Sequence, residues 1–310
     1  MSETGAQKQL SRYALGVLLF NVFVILWGAF VRASGSGAGC GKHWPLCDGE
    51  VVPTAPDIKR VIEFTHRATS GLDGLLVIAL VVLSFRLFPR GSSTRFFAAI
   101  SLALTVLEGA LGAGLVLLEH TAENKSDARI VSISLHLANT LALLAALTLC
   151  WQHARGPRVR ALPDAALRRL VYAGGALLVL VGVTGAVTAL GDTLYPSKSL
   201  TEGMRADLSP LAATAIRLRM LHPLLAVVTA GVLAKLSATA AQRLQGGDAK
   251  WAKALRHIVF SQVAFGVLNM LLLVPTWAQL VHLALADAVW IVFVVLATRL
   301  FWRPDRQLTC

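Results

Sequence analysis

Hydrophobic residues in this chain run in long blocks, without the alternation of a half-buried strand or the narrow stripe of a soluble helix. Eight blocks are long enough to cross about 30 Å of hydrocarbon. They lie at approximately 12–33, 61–88, 95–118, 130–152, 168–190, 212–236, 255–273 and 277–301. Inside lipid every backbone polar group must be satisfied within its own segment, so each block is predicted to be a helix. The expected fold is all-α: a polytopic membrane protein with eight transmembrane helices. The first block is too long for the apolar core of a signal peptide and lacks a small-residue cleavage site, so it reads as the first span. The remainder is loops, and no separate extramembrane domain is expected.

Composition agrees with this class: 55% of residues are hydrophobic and 15% charged, which excludes a soluble domain of 310 residues. The net charge of +12 would suit nucleic acid, but its distribution points elsewhere. Lys and Arg gather in alternate loops, around Arg86–Arg95, Arg155–Arg169, Lys235–Arg256 and Arg299–Arg306. With Lys8 and Arg12, about 18 of the 29 basic residues fall on one side. The positive-inside rule then places both termini in the cytoplasm, and the charge serves orientation and contact with anionic lipid. No nucleic-acid partner is expected.

Four histidines, His66, His136, His222 and His282, each sit in a different block near the same end of the span. An ionisable side chain in a membrane span is costly and marks a functional candidate. Neutral imidazole is a common haem ligand, and facing helices are where bundles build cofactor sites. The four therefore suggest two bis-histidine iron sites, on the order of 10 Å below the outer surface at 1.5 Å per helical residue. A lone intramembrane histidine can instead serve an interhelical hydrogen bond; the shared depth and pairing favour iron. His43, His120, His153 and His257 fall in loops or at helix edges and read as interfacial residues.

The two halves repeat. Gly28-Ala29 in the first span matches Gly185-Ala186 in the fifth, and Glu108-x-x-x-Gly112 in the third matches Gln262-x-x-x-Gly266 in the seventh. Glu63-Phe-Thr-His66 matches Arg219-Met-Leu-His222, and His136-Leu-Ala matches His282-Leu-Ala. Four helices per repeat give parallel topology, two tandem four-helix bundles related by a pseudo-twofold axis along the membrane normal. Residues 1–152 form one half and 153–310 the other.

One position breaks the symmetry. Glu63 stands one turn before His66 on the same face, and Arg219 takes that place in the second half. A carboxylate near a low-dielectric site can exchange protons; an arginine cannot, but it can pair with a haem propionate. Chemistry is therefore expected in the first half and a retained, electron-handling haem in the second. Glu63 could also pair with Arg67 or Arg60 at the helix start, where the helix dipole favours an acid.

Cys40 and Cys47 share a glycine-rich outer loop on the oxidising face of a bacterial-type inner membrane, where a disulfide can close. A structural staple and a redox-active pair are both open. A zinc site with His43 has too few ligands nearby, and the spacing is not that of covalent haem attachment. Cys150 and Cys310 are expected as free thiols on the cytoplasmic side.

At GAFVRASGSGAGCGKHWPLC (28–47), EFTHRATSG (63–71), LHLANT (135–140), GDTLYPSKSL (191–200), RLRMLHP (217–223) and VHLALAD (281–287) the chain resembles the haem A synthase family of cytochrome oxidase assembly. Gly41–His43 depart from the family's Pro-Asp before the tryptophan. The resemblance implies oxidation of the C8 methyl of haem O to the formyl of haem A, with haem b as resident cofactor. Carried over, Glu63 is the catalytic carboxylate, His66 and His136 ligate substrate haem O, and His222 and His282 ligate haem b. Cys40 and Cys47 match the family's cysteine pair. Partners implied are haem O, membrane lipid, a haem O synthase and cytochrome oxidase assembly factors. The competing class is a quinol-linked dihaem b-type electron-transfer cytochrome, which needs the four histidines but not Glu63; a haem transporter would not need Glu63 either. A prenyltransferase is disfavoured, because no aspartate-rich Mg-binding cluster stands in the loops.

Overall fold

The computed structural model describes residues 5–54, 57–156 and 158–304. Arg306 and Cys310, expected above on the basic side, lie outside them. Among the described residues eight helical spans are long and apolar enough to cross a bilayer, and the chain is a multi-pass membrane protein. The first four are α1 (Gly5–Ala33), α2 (Ile58–Leu87), α3 (Ser93–Leu117) and α4 (Asp127–Ala154). The fifth is α5 (Ala165–Leu194), followed by a short helix, α6 (Leu200–Leu208). The sixth comes in two pieces, α7 (Thr214–Arg219) and α8 (Leu221–Arg243). The last two are α9 (Ala249–Leu271) and α10 (Thr276–Phe301).

Several helix starts are written in the sequence. Asp57, Ser92, Ser126 and Asp164 each cap the helix that follows, accepting the amide of Arg60, Arg95, Arg129 and Leu167 respectively. Such a cap satisfies an amide that has no intrahelical partner and stabilises by about 1 kcal/mol. The sixth span departs from the unbroken helix expected. Pro223 lacks an N–H, and its ring collides with the carbonyl four residues back, that of Arg219. α7 accordingly ends at Arg219 and α8 restarts at Leu221. His222 thus stands at the opening of a helix, whereas His66 lies within an unbroken one.

The helices form two rings that correspond member for member. α1 packs on α2, α2 on α3, α3 on α4, and α4 on α1. α5 packs on α8, α8 on α9, α9 on α10, and α10 on α5. α4 and α10 meet each other at the seam, with α1 against α10 and α4 against α5. Leu144 and Leu147 of α4 and Leu296 of α10 are fully buried. Trp290 Nε1 crosses the seam to the Leu141 carbonyl at 2.8 Å. Leu19, Phe96, Val106, Val227 and Phe260 point outward and are exposed. Lipid solvates such side chains, so packing and interhelical hydrogen bonds hold the helices together rather than exclusion of water.

At the histidine end Arg32 ties α1 to the second ring. It donates to the Ala189 carbonyl at 2.7 Å, the Thr193 hydroxyl at 2.6 Å and the Gln279 amide oxygen at 3.0 Å. At the opposite end Arg158–Arg160 pairs antiparallel with Trp302–Pro304, a small strand pair added to an otherwise all-α fold. That pairing brings Trp302 back over the end of α4. His153, expected at an interface, is consequently buried, stacked on Phe97 and edge-on to Trp302.

Candidate functional site

Each of the four histidines faces a glycine on the span before it. A Cβ added at Gly28 would lie 2.9 Å from Cε1 of His66; at Gly185, 2.9 Å from Cε1 of His222; at Gly266, 2.9 Å from Cε1 of His282. At Gly112 the distance to Cε1 of His136 is 3.8 Å, an ordinary contact. In three notches, then, any side chain would push the imidazole aside. The repeated glycines noted in the sequence have a shared purpose: they make room for a ring between two helices.

The rings are short of hydrogen-bond partners. His222 Nδ1 lies 3.1 Å from the Val181 carbonyl, which leaves Nε2 for another partner. Nδ1 of His66 and His282 is buried with no hydrogen-bond partner among the described residues, and Nδ1 of His136 has only the Glu108 carboxylate, 3.5 Å away. A buried polar atom without a partner calls for an explanation. His222 and His282 face each other with ring centroids 6.4 Å apart and planes at 90°. Two imidazoles bound to one metal through bonds of about 2 Å place their centroids about 6 Å apart. The His222–His282 pair fits a bis-imidazole iron; His66 and His136 occupy the matching places in the first ring. Among the described residues no group of three or more metal-ligating side chains competes for a metal.

Glu63 is 3% exposed and held at both oxygens. Oε1 accepts from Arg67 Nη2 at 2.5 Å, and Oε2 from the backbone amide of Cys40 at 2.9 Å. Of the two arginines weighed as partners, Arg67 is the one that binds it. The other nitrogen of Arg67 reaches the carbonyls of His43 and Leu46, at 2.6 and 2.8 Å. Arg60 binds Asp48 and the Gly39 carbonyl instead. Gly39 lets the loop sit this close, since a Cβ there would lie 2.6 Å from the backbone of Lys59. Cys40 and Cys47 are joined by a disulfide, so neither sulfur is available to a metal. The cross-linked loop is strapped onto the first turns of α2, and Glu63 lies beneath it, one turn from His66.

Arg219 has a different environment. It donates to Asp207 Oδ1 at 2.5 Å, to Asp192 Oδ1 at 3.0 Å and to the Gly203 carbonyl at 3.2 Å. The guanidinium that could pair with a propionate is already held by two carboxylates, Asp192 near the end of α5 and Asp207 on α6.

Sequence reasoning paired Glu108 with Gln262 but gave them no role. Glu108 Oε1 lies 3.5 Å from His136 Nδ1, and Gln262 Nε2 lies 3.4 Å from His282 Nε2. Their spacing of four from a notch glycine was the available signal, since residues four apart on a helix share a face. Asp73, hydrogen-bonded to Asn21 at 2.7 Å, and Asp287 are buried deeper in α2 and α10. They lie along the helices that carry His66 and His282.

The family described as cytochrome oxidase assembly protein matches residues 11–294. The chain belongs to this family. Two proteins of Thermus thermophilus, both named protoheme IX farnesyltransferase, are 45% identical over 308 residues, covering 98% of this chain and 50% of theirs. A protein named heme A synthase from Exiguobacterium sibiricum is 33% identical over 182 residues, 58% of this chain and 59% of its own. Another of that name, from Shouchella clausii, is 47% identical over 103 residues, 33% of each chain. The chain therefore spans about half the length of the Thermus relatives it matches. Its place in the family is that of a multi-pass membrane protein whose histidines sit in paired notches.

Proposed function

We propose that the chain is a haem A synthase, an oxidoreductase that converts the C8 methyl of haem O to a formyl group. The observation that carries this reading is Glu63: a buried carboxylate, fixed at both oxygens, beside one histidine of one pair and replaced at the matching place by an arginine that two aspartates hold. His66 and His136, in residues 1–152, hold the substrate. His222 and His282, in residues 153–310, hold haem b, which supplies one-electron redox chemistry when bound. Oxidising a methyl to a formyl takes one oxygen from water and releases electrons and protons in equal number, so the reaction requires an external electron acceptor. Glu63 accepts a proton or stabilises positive charge developing at the methyl carbon. Arg67 and the Cys40 amide keep it in place, and the loop above it shields that side of the site. Relatives named for farnesyl transfer to protohaem are consistent with this, because a farnesylated haem is the substrate required; a haem O synthase and cytochrome oxidase assembly factors are the proposed partners.

The site lies in the outer leaflet of a bacterial inner membrane, with both termini cytoplasmic. The disulfide at the histidine end and the arginine-rich opposite end support that orientation. A dihaem electron-transfer cytochrome would use the four histidines equally but would have no need of Glu63. Haem analysis of membranes that express the chain together with a haem O supply separates the two. Haem A should accumulate with the native chain and be absent with Glu63→Gln. Two equivalents of tightly held haem b and no haem A would overturn the proposal.

A further inference from the structure

The Glu108–Gln262 pair differs in more than charge. Both residues stand four positions before a notch glycine, so each faces the same histidine as that glycine does. Glu108 arrives with its own supports: Asn139 Nδ2 donates to Oε2 at 2.6 Å, and the Thr140 hydroxyl donates to Oε1. Asn139 and Thr140 follow His136 by three and four residues on α4 and are both buried. The positions that follow His282 in the same way are Leu285 and Ala286, which can support nothing polar. Gln262 Oε1 is buried without a hydrogen-bond partner. A carboxylate and the two groups that hold it are present together in the first half and absent together from the second. A residue that merely joined α3 to α4 would not need to face the histidine.

We infer that Glu108 and Gln262 set the two histidine pairs apart in how strongly each favours ferric over ferrous iron. The inference rests on the proposal that each pair holds a haem. A carboxylate beside the free ring nitrogen of a ligating imidazole makes it a stronger electron donor and adds negative charge near the metal. Both effects favour the more highly charged ferric state, and low dielectric strengthens them. A neutral amide supplies neither. With the same haem in both sites, the first is the more reducing, which is the order needed for the second to take electrons from it. Glu108 is a positioning residue acting through Nδ1 of His136; Gln262, the neutral residue at the matching place, meets His282 at Nε2 and leaves its Nδ1 without a carboxylate.

The test moves the carboxylate. Gln262→Glu combined with Leu285→Asn and Ala286→Thr transplants the acid and its supports into the second half. In an optical redox titration of the purified protein, the ferric-to-ferrous ratio of haem b at fixed ambient potential should rise about ten-fold. Glu108→Gln should leave that titration unchanged while weakening uptake of added haemin by the first site about 10–100-fold, the usual range for loss of such a partner. An unchanged haem b titration in the transplant, or unchanged haemin uptake by Glu108→Gln, would overturn the inference. A failure of the haem assignment would be seen separately, as retention of haem b by His222→Ala.

Discussion

The two rings share a scaffold and differ in the polar groups that stand beside their histidines. Each brings a histidine into a glycine notch twice, at the same end of the bundle and from equivalent helices. Around the first pair stand two carboxylates, Glu63 and Glu108, one turn from His66 and 3.5 Å from His136. Around the second stand Arg219, occupied by Asp192 and Asp207, and the amide of Gln262. The fit of the rings differs too: three notches are filled to a would-be contact of 2.9 Å, while Gly112 leaves 3.8 Å. A duplicated unit that keeps its histidine positions and changes the polar groups beside them is suited to two purposes. The proposed substrate half has the looser notch and a carboxylate beside one histidine; the proposed haem b half has tighter notches and an amide there.

The sharpest way to break this comparison is to remove ligands. His222→Ala or His282→Ala should strip nearly all haem b from purified protein, and His66→Ala should leave it largely in place. Pyridine haemochrome spectra decide, and the opposite pattern would reverse the halves. Next comes the carboxylate. Glu63→Gln should lower haem A formed per haem b by about 10²–10⁴-fold, the range for loss of a positioned acid or base. Haem b content should stay near normal. If Glu63 serves only to anchor Arg67 and the loop, the yield of folded protein falls while activity per haem b is preserved.

Smaller effects follow from the notches. Gly185→Ala and Gly266→Ala must displace an imidazole, and overpacking of this kind costs about 1–3 kcal/mol. Both variants should retain less haem b than the native chain. Gly28→Ala should likewise weaken haemin uptake at the first site, whereas Gly112→Ala, with ordinary van der Waals room, should do so much less. Equal loss at Gly28 and Gly112 would mean that the glycines matter for helix packing generally rather than for the rings.

Much of this is legible in the sequence. Eight spans follow from apolar runs, because lipid leaves helices as the available solution for an isolated segment. The histidines stood out because polarity in a span is costly. What the chain could not reveal is which partner each polar group takes. The sequence offers Arg219 a haem propionate and not its two aspartates, because Asp192 and Asp207 lie 27 and 12 residues earlier, on segments whose fold over it has no local signature. The break before His222 was readable from Pro223, yet apolar periodicity ran through it and concealed the restart. The glycines were recognised as a repeat but not as space, since space is a property of two helices at once.

The smallest expected effect concerns the loop that only the first half places over its carboxylate. The disulfide closes a sequence separation of 7 between Cys40 and Cys47, and the chain-entropy argument values so short a closure at about 2 kcal/mol. Its influence on Glu63 runs through one hydrogen bond, from the Cys40 amide. Replacing both cysteines by serine keeps that amide and leaves Arg67 able to bind the His43 and Leu46 carbonyls. Activity per haem b should therefore fall by several-fold, far less than in Glu63→Gln, and haem b should be unchanged. Thiol labelling of freshly isolated native protein should spare Cys40 and Cys47 until a reductant is added. Cys150, buried in α4 against the Thr94 carbonyl, should label after unfolding. Ready labelling of Cys40 and Cys47 without reductant would show that the loop is held without the disulfide, by contacts such as those of Glu63, Arg60 and Arg67. A loss of activity in the double variant as deep as that of Glu63→Gln would give the sulfurs a redox part in the reaction itself.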